Sequence, residues 1–114
     1  MSSIEGIWSV EIVGLFAWEH IGIAVLENGR VITGGNNHYA VGTYKLSGEE
    51  LTITMRVEYF GKPRIMFGNK EKTIKLKIVG KMRENVIEAV ARHKDTDKEI
   101  PCRMTRCADI PAPG

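Results

Sequence analysis

The feature of this sequence that most constrains its fold is the period of two in its apolar residues. The period is clearest over residues 51–60, where apolar and polar residues alternate: Leu51, Ile53, Met55, Val57 and Tyr59 are separated by Thr52, Thr54, Arg56 and Glu58. Because successive side chains of a β-strand point to opposite faces, this alternation predicts a strand with one buried and one solvated face. The period of two outweighs the helical period along the chain and indicates an all-β fold.

Short polar segments with glycine separate the apolar runs. Asn28-Gly29 predicts a two-residue type I′ hairpin turn, because both central residues of that turn need a positive φ. Gly42 lies inside a predicted strand and indicates a bulge or a close approach of backbone. Residues 80–85 are predicted to be a connection. The sequence predicts about eight strands, over residues 6–13, 20–26, 31–32, 38–46, 51–60, 72–79, 86–92 and 98–107.

These strands and the chain length predict one small domain. A chain of 114 residues and 12.7 kDa fits a single core. Short strands joined mostly by hairpins describe a single up-and-down, lipocalin-like β-barrel, in which closure removes the exposed strand edges. We expect the barrel to span residues 1–108, with an extended or disordered tail at 109–114.

Charge and terminal composition narrow the classes of partner. A net charge of +2 predicts no direct binding of nucleic acid. The amino terminus lacks a signal-peptide pattern, and no apolar run reaches the length of a membrane span, so we expect a cytoplasmic protein without a membrane contact. Cys102 and Cys107 lie an odd number of residues apart on a predicted strand, so their side chains should face opposite ways and form no disulfide.

No motif in the sequence predicts catalysis, a metal or a cofactor. His20, His38 and His93 have no second ligand at a metal-binding spacing. Residues 33–37 resemble a phosphate loop only superficially, and no serine or cysteine lies in a nucleophile elbow. Glu49 and Glu50 are adjacent in a polar turn and therefore diverge. We expect no catalytic residues, no metal and no cofactor, and a protein that is not an enzyme.

Two further features allow alternatives. Over residues 70–83, six lysines and arginines stand against Glu71 alone. With Tyr59 and Phe60 nearby this could form a single-strand nucleic-acid groove, but a strand with a lysine-covered outer face is the preferred interpretation. Trp8 and Trp18 are expected to be core residues or plugs of a barrel mouth.

Four segments carry a resemblance to a known family. Gly6-Ile7-Trp8-Ser9 is similar to the opening of small calycin-like barrels, and residues 22–35, 39–44 and 46–51 follow in the order and spacing of the GrlR family, named for a negative regulator of bacterial type III secretion gene expression. The match covers most of the first sixty residues and thins over the second half. It implies a lipocalin-like barrel, usually homodimeric, that binds a transcriptional activator and not DNA. The corresponding partner-binding residues are Ser47, Gly48, Glu49 and Glu50, where Gly48 replaces an acidic residue of the family archetype.

Three hypotheses follow. The first is a dimeric protein-interaction module that presents Glu49 and Glu50 to a basic partner. The second is a barrel that binds a small apolar ligand or lipid, with its cavity lined by Trp8, Ile53, Met55, Val57, Ile74, Leu76, Ile78 and Met104. The third, an enzyme of the barrel-fold cyclase or isomerase type, rests on fold analogy alone.

Overall fold

A computed structural model describes residues 3–14, 16–62 and 71–111 of the chain. Within these residues it contains eight β-strands, which confirms the predicted all-β class. None of the described residues forms a helix long and apolar enough to cross a membrane. The strands are β1 (Gly6–Val13), β2 (Trp18–Glu27), β3 (Arg30–Gly34), β4 (His38–Ser47), β5 (Glu50–Tyr59), β6 (Thr73–Arg83), β7 (Val86–His93) and β8 (Glu99–Ala108).

The eight strands form a closed up-and-down barrel, as predicted. Each strand pairs antiparallel with the next, and β8 returns to pair with β1. Across this closing pair the Ser9 hydroxyl donates to the Thr105 carbonyl oxygen at 3.4 Å, between residues 96 positions apart. Among the described residues, closure gives every strand a paired neighbour on both sides, although the short β3 pairs with only residues 23–27 of β2 and residues 39–43 of β4.

The two ends of the barrel differ in how the strands are joined. Three hairpins at one end, which we call the turn end, have two-residue turns: Asn28-Gly29, Gly48-Glu49 and Glu84-Asn85. Positive φ angles of 52° at Asn28 and 74° at Gly29 confirm the predicted type I′ turn. The opposite end, the loop end, carries the connections at 14–17, 35–37, 60–72 and 94–98.

Glycines explain two differences between prediction and structure. The predicted connection at 80–85 is wrong, because β6 continues through Gly80 to Arg83. Gly80 lies opposite Ala89, and a Cβ on Gly80 would collide with that side chain and the neighbouring backbone. Gly42 produces a close approach and no bulge, since a Cβ there would collide with the Thr54 carbonyl oxygen while the β4–β5 register runs without interruption.

The core consists of the inward-facing residues of the strands and of Ile4. In β5 the five predicted apolar residues are buried while Thr54 and Arg56 are exposed, so the alternation is confirmed. Residues 109–111 have no regular secondary structure. Residues 63–70, whose sequence contains the short apolar segment Ile65-Met66-Phe67, and the tail beyond Pro111 lie outside the described residues.

Candidate functional site

The turn end of the barrel is closed by Trp8 and Arg106. Trp8 is fully buried, and its indole Nε1 donates to the Ile4 carbonyl oxygen at 3.0 Å. The Arg106 guanidinium lies 4.5 Å from the centre of the indole ring and donates to the carbonyl oxygens of Ser3 and Glu5. This cation–π and hydrogen-bonded cluster closes the turn end, which forms the floor of the barrel interior. Trp8 is therefore a core residue, one of the two roles predicted for it, and contrary to the second hypothesis it is not among the residues that line the cavity.

An apolar cavity of about 60 Å³ lies above this floor, toward the loop end. It exists because small residues face the interior on three strands around the barrel: Gly22 and Ala24 on β2, Ala40 on β4 and Ala91 on β7. Six of the predicted cavity residues line it, namely Ile53, Met55, Val57, Leu76, Ile78 and Met104. Ile74 is buried but lies outside the lining. The volume is well below the roughly 300 Å³ at which most small-molecule pockets begin.

Polar groups that the sequence did not indicate lie at the loop-end side of this cavity. His38, Tyr59 and Thr33 are among the lining residues. The His38 Nδ1 lies 3.2 Å from the Asn37 Oδ1, and the His38 and Tyr59 rings are 5.8 Å apart. Because they belong to different strands, only the register of the barrel brings them together. The cavity thus has an apolar interior and a polar rim.

The two cysteines face opposite ways, which confirms the prediction. Cys102 is buried and lines the cavity, Cys107 is exposed, and both thiols are free. Burial raises the pKa of the Cys102 thiol from 9.0 to about 12. The charged thiolate is unfavourable in the apolar interior, so Cys102 is a protonated apolar side chain at neutral pH.

The predicted acidic partner site occupies the β4–β5 turn. Ser47, Gly48, Glu49 and Glu50 are all exposed. The Glu49 carboxylate lies 3.9 Å from the Arg83 guanidinium. Glu50 stands opposite Lys81 in the β5–β6 register. Basic residues of the neighbouring strand therefore offset much of the negative charge of this turn.

One group of side chains has the residue types of a metal site. Ligand atoms of Glu71, His93 and Asp95 lie within 4.8 Å of one another, which the spacing along the sequence did not predict. His93 is buried, and its Nδ1 accepts a hydrogen bond from the Asp95 backbone N–H at 3.1 Å. That bond uses the Nδ1 lone pair, which a metal bound through Nδ1 would need.

The outer face of β1–β4 carries an exposed apolar surface. Ile7, Val25, Ile32 and Val41 stand opposite one another across the four strands, and Ile32 is 56% exposed. Ile23 and Tyr39 lie two residues before Val25 and Val41, on the same outer face, and stand opposite Gly34 in the adjacent row. We call these six residues the apolar wall. Consecutive apolar residues such as Ala24-Val25-Leu26 are its sequence signal, because in a strand they make both faces apolar.

Charged residues on the outer face of the barrel form two different arrangements. One row alternates in sign, Glu50, Lys81, Glu88, Arg103 and Glu11, each opposite the next across β5, β6, β7, β8 and β1. The Arg103 guanidinium forms a salt bridge with the Glu11 carboxylate, with 3.3 Å between Nη2 and Oε1. Opposite charges in facing positions stabilise a sheet, so this row has a structural explanation.

The second arrangement places like charges opposite one another. Arg56 of β5 faces Lys75 of β6, and Lys77 of β6 faces Arg92 of β7. All four are exposed, and we call them the basic wall.

Trp18 was predicted to be a core residue or a plug of a barrel mouth. It is instead 38% exposed on the outer face, where the Arg103 guanidinium lies 4.2 Å from the centre of the indole ring.

Comparison of the chain with protein-family models gave no match, and comparison with curated proteins gave no similar sequence. The resemblance to the GrlR family therefore stays an expectation drawn from the sequence.

Proposed function

We propose that the protein is a homodimeric cytoplasmic interaction module that regulates by binding another protein, in the way that the resemblance to the GrlR family implies. The observation that carries this proposal is the apolar wall. Contiguous apolar residues on a protein surface are typical of interaction sites. A stable dimer buries about 800 Å² per protomer, so the apolar wall would form the centre of the interface and the polar residues around it the rim.

The dimer is tested by one substitution in the apolar wall. We expect Ile32→Lys to convert a dimer of twice 12.7 kDa into a monomer, because a buried unpaired ammonium opposes association. Light scattering after size exclusion measures the mass. Val79→Lys is the matched control, since Val79 is 51% exposed on the outer face of β6 and should leave the dimer intact. A wild-type mass of one protomer at high protein concentration would exclude this use of the wall.

For the regulated partner, we propose the turn formed by Ser47, Gly48, Glu49 and Glu50, with a transcriptional activator as the class of partner. Support comes from the resemblance and from the exposure of all four residues. Arg83 and Lys81 lie beside the carboxylates, so partner binding would exchange these internal contacts for contacts with basic groups of the partner.

We expect Glu49→Lys/Glu50→Lys to lower the amount of partner that co-purifies from the native host by about tenfold or more, because facing like charges repel. Quantitative mass spectrometry of the purified complex measures this. Glu27→Lys/Glu84→Lys reverses the same charge at the other two turns of the turn end and serves as the control. Equal recovery with both double variants would place the partner elsewhere.

A small apolar ligand is the second candidate function, favoured by the apolar cavity with its polar rim. In this conformation the cavity, at about 60 Å³, is smaller than the engineered cavity of about 150 Å³ that holds benzene. A lipid chain would need the flexible side chains of Met55 and Met104 to move aside. Native mass spectrometry of gently purified protein would reveal a retained molecule as added mass in the same measurement that reports the dimer.

A further inference from the structure

The two lysines of the basic wall lack the internal compensation that its two arginines have. Arg56 has Glu58 at 3.0 Å and Arg92 has Asp97 at 3.2 Å. Lys75 and Lys77 form no salt bridge with any residue that the structure describes. They therefore present two uncompensated ammonium groups between two arginines.

Like charges in facing positions destabilise a sheet. Elsewhere in the same barrel, opposite charges face one another along the row from Glu50 to Glu11. The register of the strands therefore allows a positive side chain to be paired with a negative one. A carboxylate at position 75 or 77 would give that compensation without a change of fold, because both side chains are exposed. An external anion is the other way to offset the repulsion.

The spacing of the lysines indicates the kind of anion. Residues two apart on a strand lie about 6.6 Å apart, the same distance that separates alternate side chains of an extended peptide. Apolar residues border the basic wall on both sides, Val41 on β4 and the facing pair Val79 and Val90 on β6 and β7. Acidic side chains at every second position of one extended segment would all point to the basic wall, and an apolar side chain farther along the same face of the segment would meet one of these valines.

Nucleic acid fits this surface less well. Non-specific binding of single strands relies on aromatic side chains on which bases stack. None of the four basic-wall residues or of the three bordering valines is aromatic. Tyr59, the nearby candidate in the sequence, is buried inside the barrel, and Phe60 lies beyond β5 in the loop-end connection.

We propose that the basic wall, Arg56, Lys75, Lys77 and Arg92, is a docking surface for an extended protein segment with an acidic residue at every second position. This inference rests on the proposed function only in taking the ligand to be a protein. The basic wall adjoins the apolar wall where Val41 faces Arg56, but it shares no residue with the apolar wall or with the turn containing Glu49, so the protein would contact its partner at more than one place.

The test uses three fluorescein-labelled probes: an octapeptide of alternating Glu and Val, a peptide of the same composition with its glutamates grouped, and a thymidine oligonucleotide. Fluorescence anisotropy should show tighter binding of the alternating peptide than of either other probe, weakened by salt. Lys75→Glu/Lys77→Glu should raise its Kd about tenfold or more. Arg30→Glu/Lys45→Glu, with the same change of charge on exposed residues of β3 and β4, should leave the Kd within about twofold.

An unchanged Kd in Lys75→Glu/Lys77→Glu would overturn the inference, and so would tighter binding of the oligonucleotide or equal binding of the two peptides. Light scattering on the same samples separates this result from the proposed dimer. A dimeric wild type that does not bind the alternating peptide contradicts the inference alone, whereas a monomeric wild type that binds it contradicts the dimer alone. Circular dichroism confirms that both double variants are folded.

Discussion

Replacing Trp8 with alanine should lower the free energy of unfolding by about 3–5 kcal/mol, the usual cost of removing a fully buried tryptophan. The indole fills the turn end, accepts the Arg106 guanidinium over its ring and donates a hydrogen bond to Ile4. Its loss would leave a cavity, an unpaired carbonyl and an arginine over empty space. Since domains of this size are stable by about 5–15 kcal/mol, the variant should be marginally folded.

Thermal and urea unfolding followed by circular dichroism measure this effect, with an expected fall in Tm of about 10 °C or more. Trp18→Ala is a matched control, because Trp18 also lies under an arginine, Arg103, at 4.2 Å, but is 38% exposed. We expect it to cost about 1 kcal/mol. Equal losses in the two variants would show that the Trp8 cluster does not anchor the turn end.

The second large effect concerns the two thiols. Cys102 should react with a thiol reagent about a thousand times more slowly than a cysteine of ordinary pKa, because its pKa of about 12 lies three units above 9.0 and the thiolate is the reactive form. Burial against the cavity adds a barrier to the reagent. Exposed Cys107 should react readily.

The rates can be separated with single variants. Cys107→Ser leaves only Cys102, and Cys102→Ala leaves only Cys107, so alkylation followed by intact mass reports each thiol alone. In concentrated denaturant the two should react equally. A native Cys102 rate within tenfold of the Cys107 rate would mean that the barrel opens frequently.

The raised pKa of Cys102 also makes the stability of the fold depend on pH. The fold favours the protonated Cys102 thiol, so this contribution is fully present below pH 9 and is lost as the pH rises from 9 towards 12, where only the unfolded chain ionises. Cys102→Ala lacks this group and should lose less stability than the wild type over that interval.

The fold could be predicted from the local sequence pattern, because each of these predictions needed only residues that are neighbours along the chain. Alternation along β5 determines which side chains are buried, and the φ requirement at Asn28-Gly29 determines a turn. The prediction failed at Gly80, since the reason for a glycine there lies on another strand, in the side chain and backbone of β7.

The candidate sites depend on register, which no single segment of sequence contains. Six cavity residues were predicted because they alternate, whereas the small residues that create the space, such as Ala40 and Ala91, have no distinctive pattern. The negative charge predicted for the Glu49 turn is partly offset by Arg83. The sequence could not indicate this, because only β5–β6 pairing brings Arg83 close to Glu49. Both walls likewise consist of facing residues on different strands.

The closure of the barrel by β1 and β8 has a consequence for synthesis. The hydrogen bond from Ser9 to Thr105 joins residues 96 positions apart, and residues that pair with β1 extend to Ala108. During translation β1 therefore keeps one unpaired edge until almost all of the described chain has left the ribosome. Contacts at such long separations form slowly, and exposed edges in the meantime are sites of misassociation. The barrel is therefore complete only after the last strand has paired with β1.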